Sequence, residues 1–170
     1  MKIAILGYSA SGKSTLAGCL ARHYGIEALH LDRVQFLPGW QTRPSEEKKQ
    51  LVAQFMATHA AWVIDGNYSN LERNRRLEEA DLIIQMLFPR LSCLHRAWKR
   101  YRKYKGTSRP DMSEGCNEKL DAEFIRWILF DGRKKEIRKR YQAEQARYPQ
   151  KTVVLKNQSD LNRFLNSIKE

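Results

Sequence analysis

Residues 7–15 read Gly7-Tyr8-Ser9-Ala10-Ser11-Gly12-Lys13-Ser14-Thr15, and the first eight of them fit G-x-x-x-x-G-K-[ST]. The types follow from the chemistry of holding a phosphate. Gly7 and Gly12 permit backbone angles that side chains forbid, so successive amides can turn toward an anion. Lys13 brings a positive charge to the β- and γ-phosphates, and the Ser14 hydroxyl is suited to ligating Mg²⁺. A helix opening at Lys13 aims its positive end at the same group. This stretch predicts binding of a nucleoside triphosphate.

Acids and arginines further along supply what else phosphoryl transfer needs. The second strand ends at His30-Leu31-Asp32, where Asp32 could orient an acceptor hydroxyl, take its proton or sit near the metal. His30 reads more simply as a packed histidine. The third strand ends at Asp65-Gly66-Asn67-Tyr68; a carboxylate there can hold a Mg²⁺-bound water, and Gly66 lets the backbone approach a ligand. The fourth strand ends Gln85-Met86-Leu87-Phe88-Pro89 without an acid, so Asp32 and Asp65 are the strand-end candidates. Arg96 and Arg100 lie four apart on one helix face, and Arg109 stands two residues before Asp111. Such arginines neutralise charge that develops on a transferring phosphoryl group. Cys93, His95 and Cys116 lack a fourth partner for a metal set. Trp98 and Trp127 read as core or helix-face residues. Pro38-Gly39-Trp40 reads as a turn with an exposed aromatic, where an acceptor could lie or the chain could anchor.

The elements that must position these residues alternate. Apolar runs at 2–6, 28–31, 62–65, 81–87 and 152–155 predict strands, and near-continuous apolar character predicts burial on both faces. Helical spacing occupies 13–23, 46–60, 71–79, 90–104, 118–148 with a break at 131–132, and 161–168. Ser45 and Ser159-Asp160 are the expected caps of the second and last helices. Residues 105–117 hold Gly106, Pro110 and Gly115 and read as a loop. Strands alternating with helices predict an α/β fold, a parallel sheet with helices on both faces.

Composition narrows the class. The chain has 170 residues and 20.0 kDa, the size of one domain, with 42% apolar and 29% charged residues. Its net charge is +12, and residues 90–148 hold 17 basic and 8 acidic side chains, hence +9 of it. That excess predicts an anionic partner: nucleic acid, a membrane surface or a phosphorylated small molecule. No apolar run approaches the length of a membrane span, and the N-terminus lacks the features of a signal peptide. Three scattered cysteines support no disulfide framework, so a cytoplasmic location without a membrane partner is expected. Oligomeric state leaves no mark in the residues.

Taken together, the Gly7–Ser14 segment, Asp65-Gly66, Pro89 followed by Arg96 and Arg100, and Arg109-x-Asp111 resemble the adenylate-kinase-like branch of the P-loop kinases. His30-Leu31-Asp32, Leu37-Pro38-Gly39-Trp40, Ile64-Asp65-Gly66-Asn67-Tyr68 and Arg126-Trp127-Ile128 look closer still to the bacterial group named "DNA topology modulation proteins". The resemblance covers nearly the whole chain. It implies a P-loop NTPase fold: a three-layer α/β/α arrangement with a five-stranded parallel sheet of order 2-3-1-4-5, in a single domain over 1–170. It further implies a mobile acceptor-binding-like segment at about 32–60 and a short helical lid at about 105–118. By the same resemblance Arg96 and Arg100 contact ATP, Arg109 and Asp111 belong to the lid, and Lys156-Asn157 lines the adenine site. Where those relatives carry acceptor-side arginines this chain has Gln35 and Ser69, and Leu87 replaces an acid; Arg43 or Arg73 could substitute in space. The ATP half of the motif set is intact.

The expectation is a kinase that moves the γ-phosphoryl of ATP, with Mg²⁺, to a nucleotide or another small hydroxyl compound. Residues 7–15, Arg96, Arg100, Lys156 and Asn157 would hold the nucleotide, and Ser14 and Asp65 the metal. Lys13, Asp32, Arg96, Arg100 and Arg109 would carry catalysis. Asp32, Trp40, Arg43, Gly66, Asn67 and Arg73 would hold the acceptor. The alternatives are a nucleotide-dependent nucleic-acid-binding protein using the basic helices at 90–105 and 133–140, and an ATP-binding fold without catalysis.

Overall fold

The first apolar run becomes β1 (Lys2–Gly7), in which Ile3, Ala4, Ile5 and Leu6 have no exposed surface. A strand so covered must lie inside a sheet with helices on both sides. The computed structural model describes residues 1–109 and 111–168, so Pro110 of the expected loop lies outside the described residues. After β1 come α1 (Lys13–Tyr24), β2 (Glu27–His30), α2 (Leu31–Gln35), β3 (Phe36–Leu37), β4 (Gln41–Thr42) and α3 (Ser45–Thr58). They are followed by β5 (Trp62–Asp65), α4 (Arg73–Glu79), β6 (Leu82–Met86), α5 (Arg90–Tyr104) and α6 (Ala122–Leu129). The chain continues with α7 (Lys135–Arg147), β7 (Thr152–Leu155) and α8 (Gln158–Ser167).

Five strands form one parallel sheet in the order β2-β5-β1-β6-β7. These labels differ from the expected 2-3-1-4-5 because β3 and β4 form a separate antiparallel hairpin around Pro38–Trp40. The turn expected at Pro38-Gly39-Trp40 is thus the tip of a hairpin, whose two-residue strands are too short to show a period. In register, Ile5 stands beside Asp65 of β5 and Ile84 of β6, which brings the ends of β1 and β5 together.

The sheet separates two apolar clusters. On one face α1 (Leu16, Ala17, Leu20), α5 (Cys93, Ala97) and α6 (Ile128) pack on Ile3, Ile5 and Ile84, with Leu161 and Phe164 of α8 at the margin. On the other, α2 (Leu31, Val34), α3 (Val52, Met56), α4 (Leu77) and Tyr141 of α7 pack on Ala4, Leu6 and Ile64. The result is a helix–sheet–helix sandwich. Among the described residues no helix is long and apolar enough to cross a membrane.

Helix ends correct several local expectations. Ser45 is the first residue of α3 rather than its cap; Pro44 precedes it and no side chain caps the helix. The cap of α8 is Asn157, whose Oδ1 accepts from Asp160 N–H at 2.9 Å, rather than Ser159-Asp160. The 118–148 pattern divides into α6 and α7 around a short turn at Asp131–Arg133, and Asp121 caps α6 by accepting from Phe124 N–H at 2.8 Å. The short helical lid expected at 105–118 carries no helix among the described residues. Isolated bridges pair Lys105 with Glu118 and Ser108 with Asn117, while Gly106 and Gly115 sit at φ 76° and 75°, angles that interrupt a helix.

Candidate active site

Between β1 and α1 the backbone turns through two glycines with positive φ, Gly7 at 141° and Gly12 at 103°, and through Ala10 at 59°. A Cβ on Gly7 would stand 2.3 Å from the Met86 carbonyl oxygen, so no other residue lets β1 run this close to β6. Ser11 N–H donates to the Tyr8 carbonyl at 3.2 Å, and the buried Ser11 hydroxyl has no partner. The Asn67 amide clasps the turn from β5, accepting from Gly7 N–H at 3.1 Å and donating to the Gly7 carbonyl. Trp127 Nε1–H of α6 donates to Ser9 Oγ at 2.9 Å from the opposite side. The turn is therefore held by the segment after β5 and by α6.

Lys13 folds back over it, its Nζ donating to the Tyr8 carbonyl at 3.0 Å. Burial pulls the Lys13 ammonium below its ordinary proton affinity, although Asp32 and Asp65 pull the other way and Arg100 adds to the burial. Ser14 Oγ–H donates to Asp65 Oδ2 at 2.9 Å, and the other Asp65 oxygen lies 2.5 Å from His30 Nδ1. Burial alone would lower His30; the hydrogen bond to Asp65 and its charge outweigh burial and raise it. The histidine read as mere packing is thus joined to the candidate metal carboxylate. Register explains why: His30 is the β2 residue opposite Asp65.

Asp32 lies on the first turn of α2, past the end of β2, and accepts from Tyr68 O–H at 2.8 Å. Burial, with the Asp32 charge beside it, pushes the Tyr68 phenol well above its usual range, so Tyr68 stays the donor. Gly66 does not leave its space to a ligand: a Cβ there would be 2.7 Å from Leu31 Cβ, so the glycine lets β5 pack on α2. Arg73, buried on α4, is taken up by Glu144 of α7 at 2.8 Å and the Asn67 carbonyl at 2.9 Å. Arg43 donates to the Val34 carbonyl at 3.0 Å and to Glu47. Trp40 is half-buried rather than exposed, its Nε1–H donating to the Asn117 carbonyl at 3.1 Å.

The three arginines part ways. Arg96 Nη1 donates to the Ser11 carbonyl at 3.0 Å and Nη2 to Gln158 at 2.6 Å, with its guanidinium 4.4 Å over the Phe88 ring. Arg96 therefore straps the turn to the start of α8, near Lys156 and Asn157. Thr15, next to the turn, is exposed. Arg100 and Arg109 instead converge on Glu118, each at 2.7 Å, and Arg109 also reaches Asp111 at 2.7 Å. Glu118 is 4% exposed, and sequence reasoning missed it because 18 residues separate it from Arg100. Burial lowers the proton affinity of Arg96 and Arg100; for Arg100 the neighbouring Arg109 adds to that and Glu118 opposes it.

Among the described residues no cluster of three or more His, Cys, Asp or Glu side chains forms a metal site. Where α1 leaves the turn, Ser14 and Asp65 form a hard hydroxyl–carboxylate pair of the kind Mg²⁺ takes while keeping most of its waters.

No family model matches the chain, and no curated protein matches it. Among solved structures, that of an uncharacterized protein from Eubacterium ventriosum is similar over 100% of this chain and 99% of that one, at 12% identity and a TM-score of 0.49.

Proposed function

We propose that this protein is a phosphotransferase with a P-loop NTPase fold. Its Gly7–Ser14 turn would bind a nucleoside triphosphate, whose γ-phosphoryl group passes to the hydroxyl of a small acceptor, a nucleotide or another hydroxyl compound. The observation that carries this reading is the Ser14–Asp65 contact at 2.9 Å beneath a glycine-bounded turn that opens a helix. The unpartnered Ser11 hydroxyl and the Lys13 ammonium, weakened by burial, lie in the same turn, and an anion would relieve both.

Ser14 and Asp65 are the residues to hold Mg²⁺, which when bound draws charge from the phosphate oxygens. Lys13 leaves the Tyr8 carbonyl for the phosphates. The acceptor oxygen forms its bond to the γ-phosphorus as the bond to the β–γ bridging oxygen breaks. ADP leaves with that electron pair, and the acceptor proton passes to Asp32, whose orientation Tyr68 fixes. Arg96 would stabilise the turn and the phosphates, and Arg100 of α5 and Arg109 of the arm, both gathered by Glu118, would neutralise the developing charge.

Calorimetry with ATP and Mg²⁺ tests the binding step, and a coupled assay over nucleotides, sugars, hydroxy acids and amino alcohols tests transfer. Lys13→Ala is expected to remove ATP binding or lower turnover about a hundredfold or more. Absence of nucleotide binding to the unaltered chain would overturn the proposal.

One observation favours a second reading, nucleotide-dependent nucleic-acid binding with little or no transfer. Leu91 and Trp98 are 71% and 43% exposed on the strongly basic α5, with Arg102 4.9 Å over the Trp98 ring. Cations interleaved with an exposed aromatic suit single-stranded nucleic acid.

A further inference from the structure

A cleft of about 380 Å³ opens where the end of β6, the start of α5 and the first turn of α7 meet. Its floor is apolar, built from Phe88 and its neighbours with the Tyr8 ring. Its charged lining consists of Arg90, Arg133, Arg138 and Lys156, with no carboxylate among the lining residues. None of these four is ion-paired within the described residues, whereas Lys2, Arg43, Arg73, Arg75, Arg100 and Arg109 all have acidic partners. The nearby Asp131 is spent on Arg126 and Lys134.

One of the four cations is set in place by the fold, and a second lies against an exposed ring. Arg133 donates to the Ile128 carbonyl at 2.8 Å and to Cys93 Sγ at 3.2 Å, with its guanidinium 3.9 Å over the Tyr8 ring. Arg90 lies 5.9 Å over the ring of Phe130. Four like charges round one concavity repel each other, and that cost is relieved by an anion rather than by solvent alone. The volume suits a small molecule. Lys13, Arg96 and Arg100 do not line the cleft; it borders the candidate site, sharing Tyr8 with the β1–α1 turn and Lys156 with the expected adenine side, while Arg90, Arg133 and Arg138 belong to the cleft alone.

We propose that this cleft is a second anion-binding site, taking a small molecule that carries two or more phosphate charges. The proposal does not depend on the turn being a triphosphate site.

Inorganic pyrophosphate is the probe, titrated by calorimetry at about 0.15 M salt, where the Debye length is about 8 Å and diffuse surface attraction is screened. In a Lys13→Ala chain one pyrophosphate site is expected to remain. Adding Arg90→Ala and Arg138→Ala, both at exposed positions, is expected to weaken that site tenfold or more with an unchanged melting temperature. The same double replacement in the otherwise unaltered chain should remove one pyrophosphate site and leave any ATP binding intact. No pyrophosphate binding in the Lys13→Ala chain, or binding indifferent to Arg90 and Arg138, overturns the proposal. So does a duplex oligonucleotide whose binding needs these arginines when pyrophosphate gives no heat. Loss of ATP binding alone would sink the phosphotransferase reading and leave this site standing.

Discussion

Asp65 is the residue on which the candidate site turns, because one oxygen meets Ser14 and the other His30. Its consequence is measurable without a ligand. His30 holds its proton more tightly in the fold than its ordinary value of 6.5. A group whose folded affinity is raised contributes stability fully below its unfolded value and loses it as pH rises through the folded one. The stability of the parent chain over His30→Gln should therefore be largest near about pH 5.5 and shrink toward about pH 8.5 in urea unfolding. A gap constant across that range would mean that Asp65 is not paired with an imidazolium. Asp65 itself was legible from its place at a strand end, but its histidine partner was not. Pairing across β2 and β5 depends on register, which residue types do not encode.

Among the elements, the arm from 105 to 118 joins the sheet's helices to the β3–β4 hairpin. Ser113 donates to the Phe36 carbonyl, Cys116 to the Leu37 carbonyl at 3.3 Å, and Asn117 accepts from Trp40. Glu118 anchors the same arm by gathering Arg100 and Arg109. Arg109 makes an ion contact there rather than a well-directed hydrogen bond, since its Nε has no satisfactory acceptor. Glu118→Gln leaves two partly buried guanidiniums with one fewer negative charge. It is expected to cost about 3 kcal/mol in denaturant unfolding, the low end for breaking a buried pair, because Arg100 keeps some solvent contact. Under the phosphotransferase reading it should also lower kcat more than it raises KM for ATP. An unchanged unfolding midpoint would show that the arm does not depend on this carboxylate.

At the scale of the whole molecule, the basic side chains divide between those held inside the fold and those left facing solvent. Arg76 shows the first kind: fully buried, it donates to the carbonyls of Leu71, Gly66 and Tyr68 and so shapes the segment after β5. Glu144 holds Arg73 and Gln85 together and ties α7 to α4 and β6. The second kind lies on α5 and decides between the two functional readings. If that face binds single-stranded nucleic acid, log affinity should fall with log salt by about 0.7 for each phosphate contacted. Trp98→Ala should then weaken binding by about 1–3 kcal/mol. ATP turnover that survives Trp98→Ala without any such binding would favour the phosphotransferase.

By themselves the residues determined the parallel strands, the glycine-bounded turn and the α1 and α5 helices, because apolar period and backbone freedom are local properties. The basic excess was equally plain, being a count. Only the tertiary structure decided which side chains meet. Trp127 reaches Ser9 across 118 positions and Tyr68 reaches Asp32 across 36, and no spacing along the chain announces either contact. It also decided that Gly66 serves packing rather than access, and that Arg73 belongs to Glu144. Such assignments follow from the close fit of layers around the sheet, a property of volume and register that appears only once distant segments are brought together.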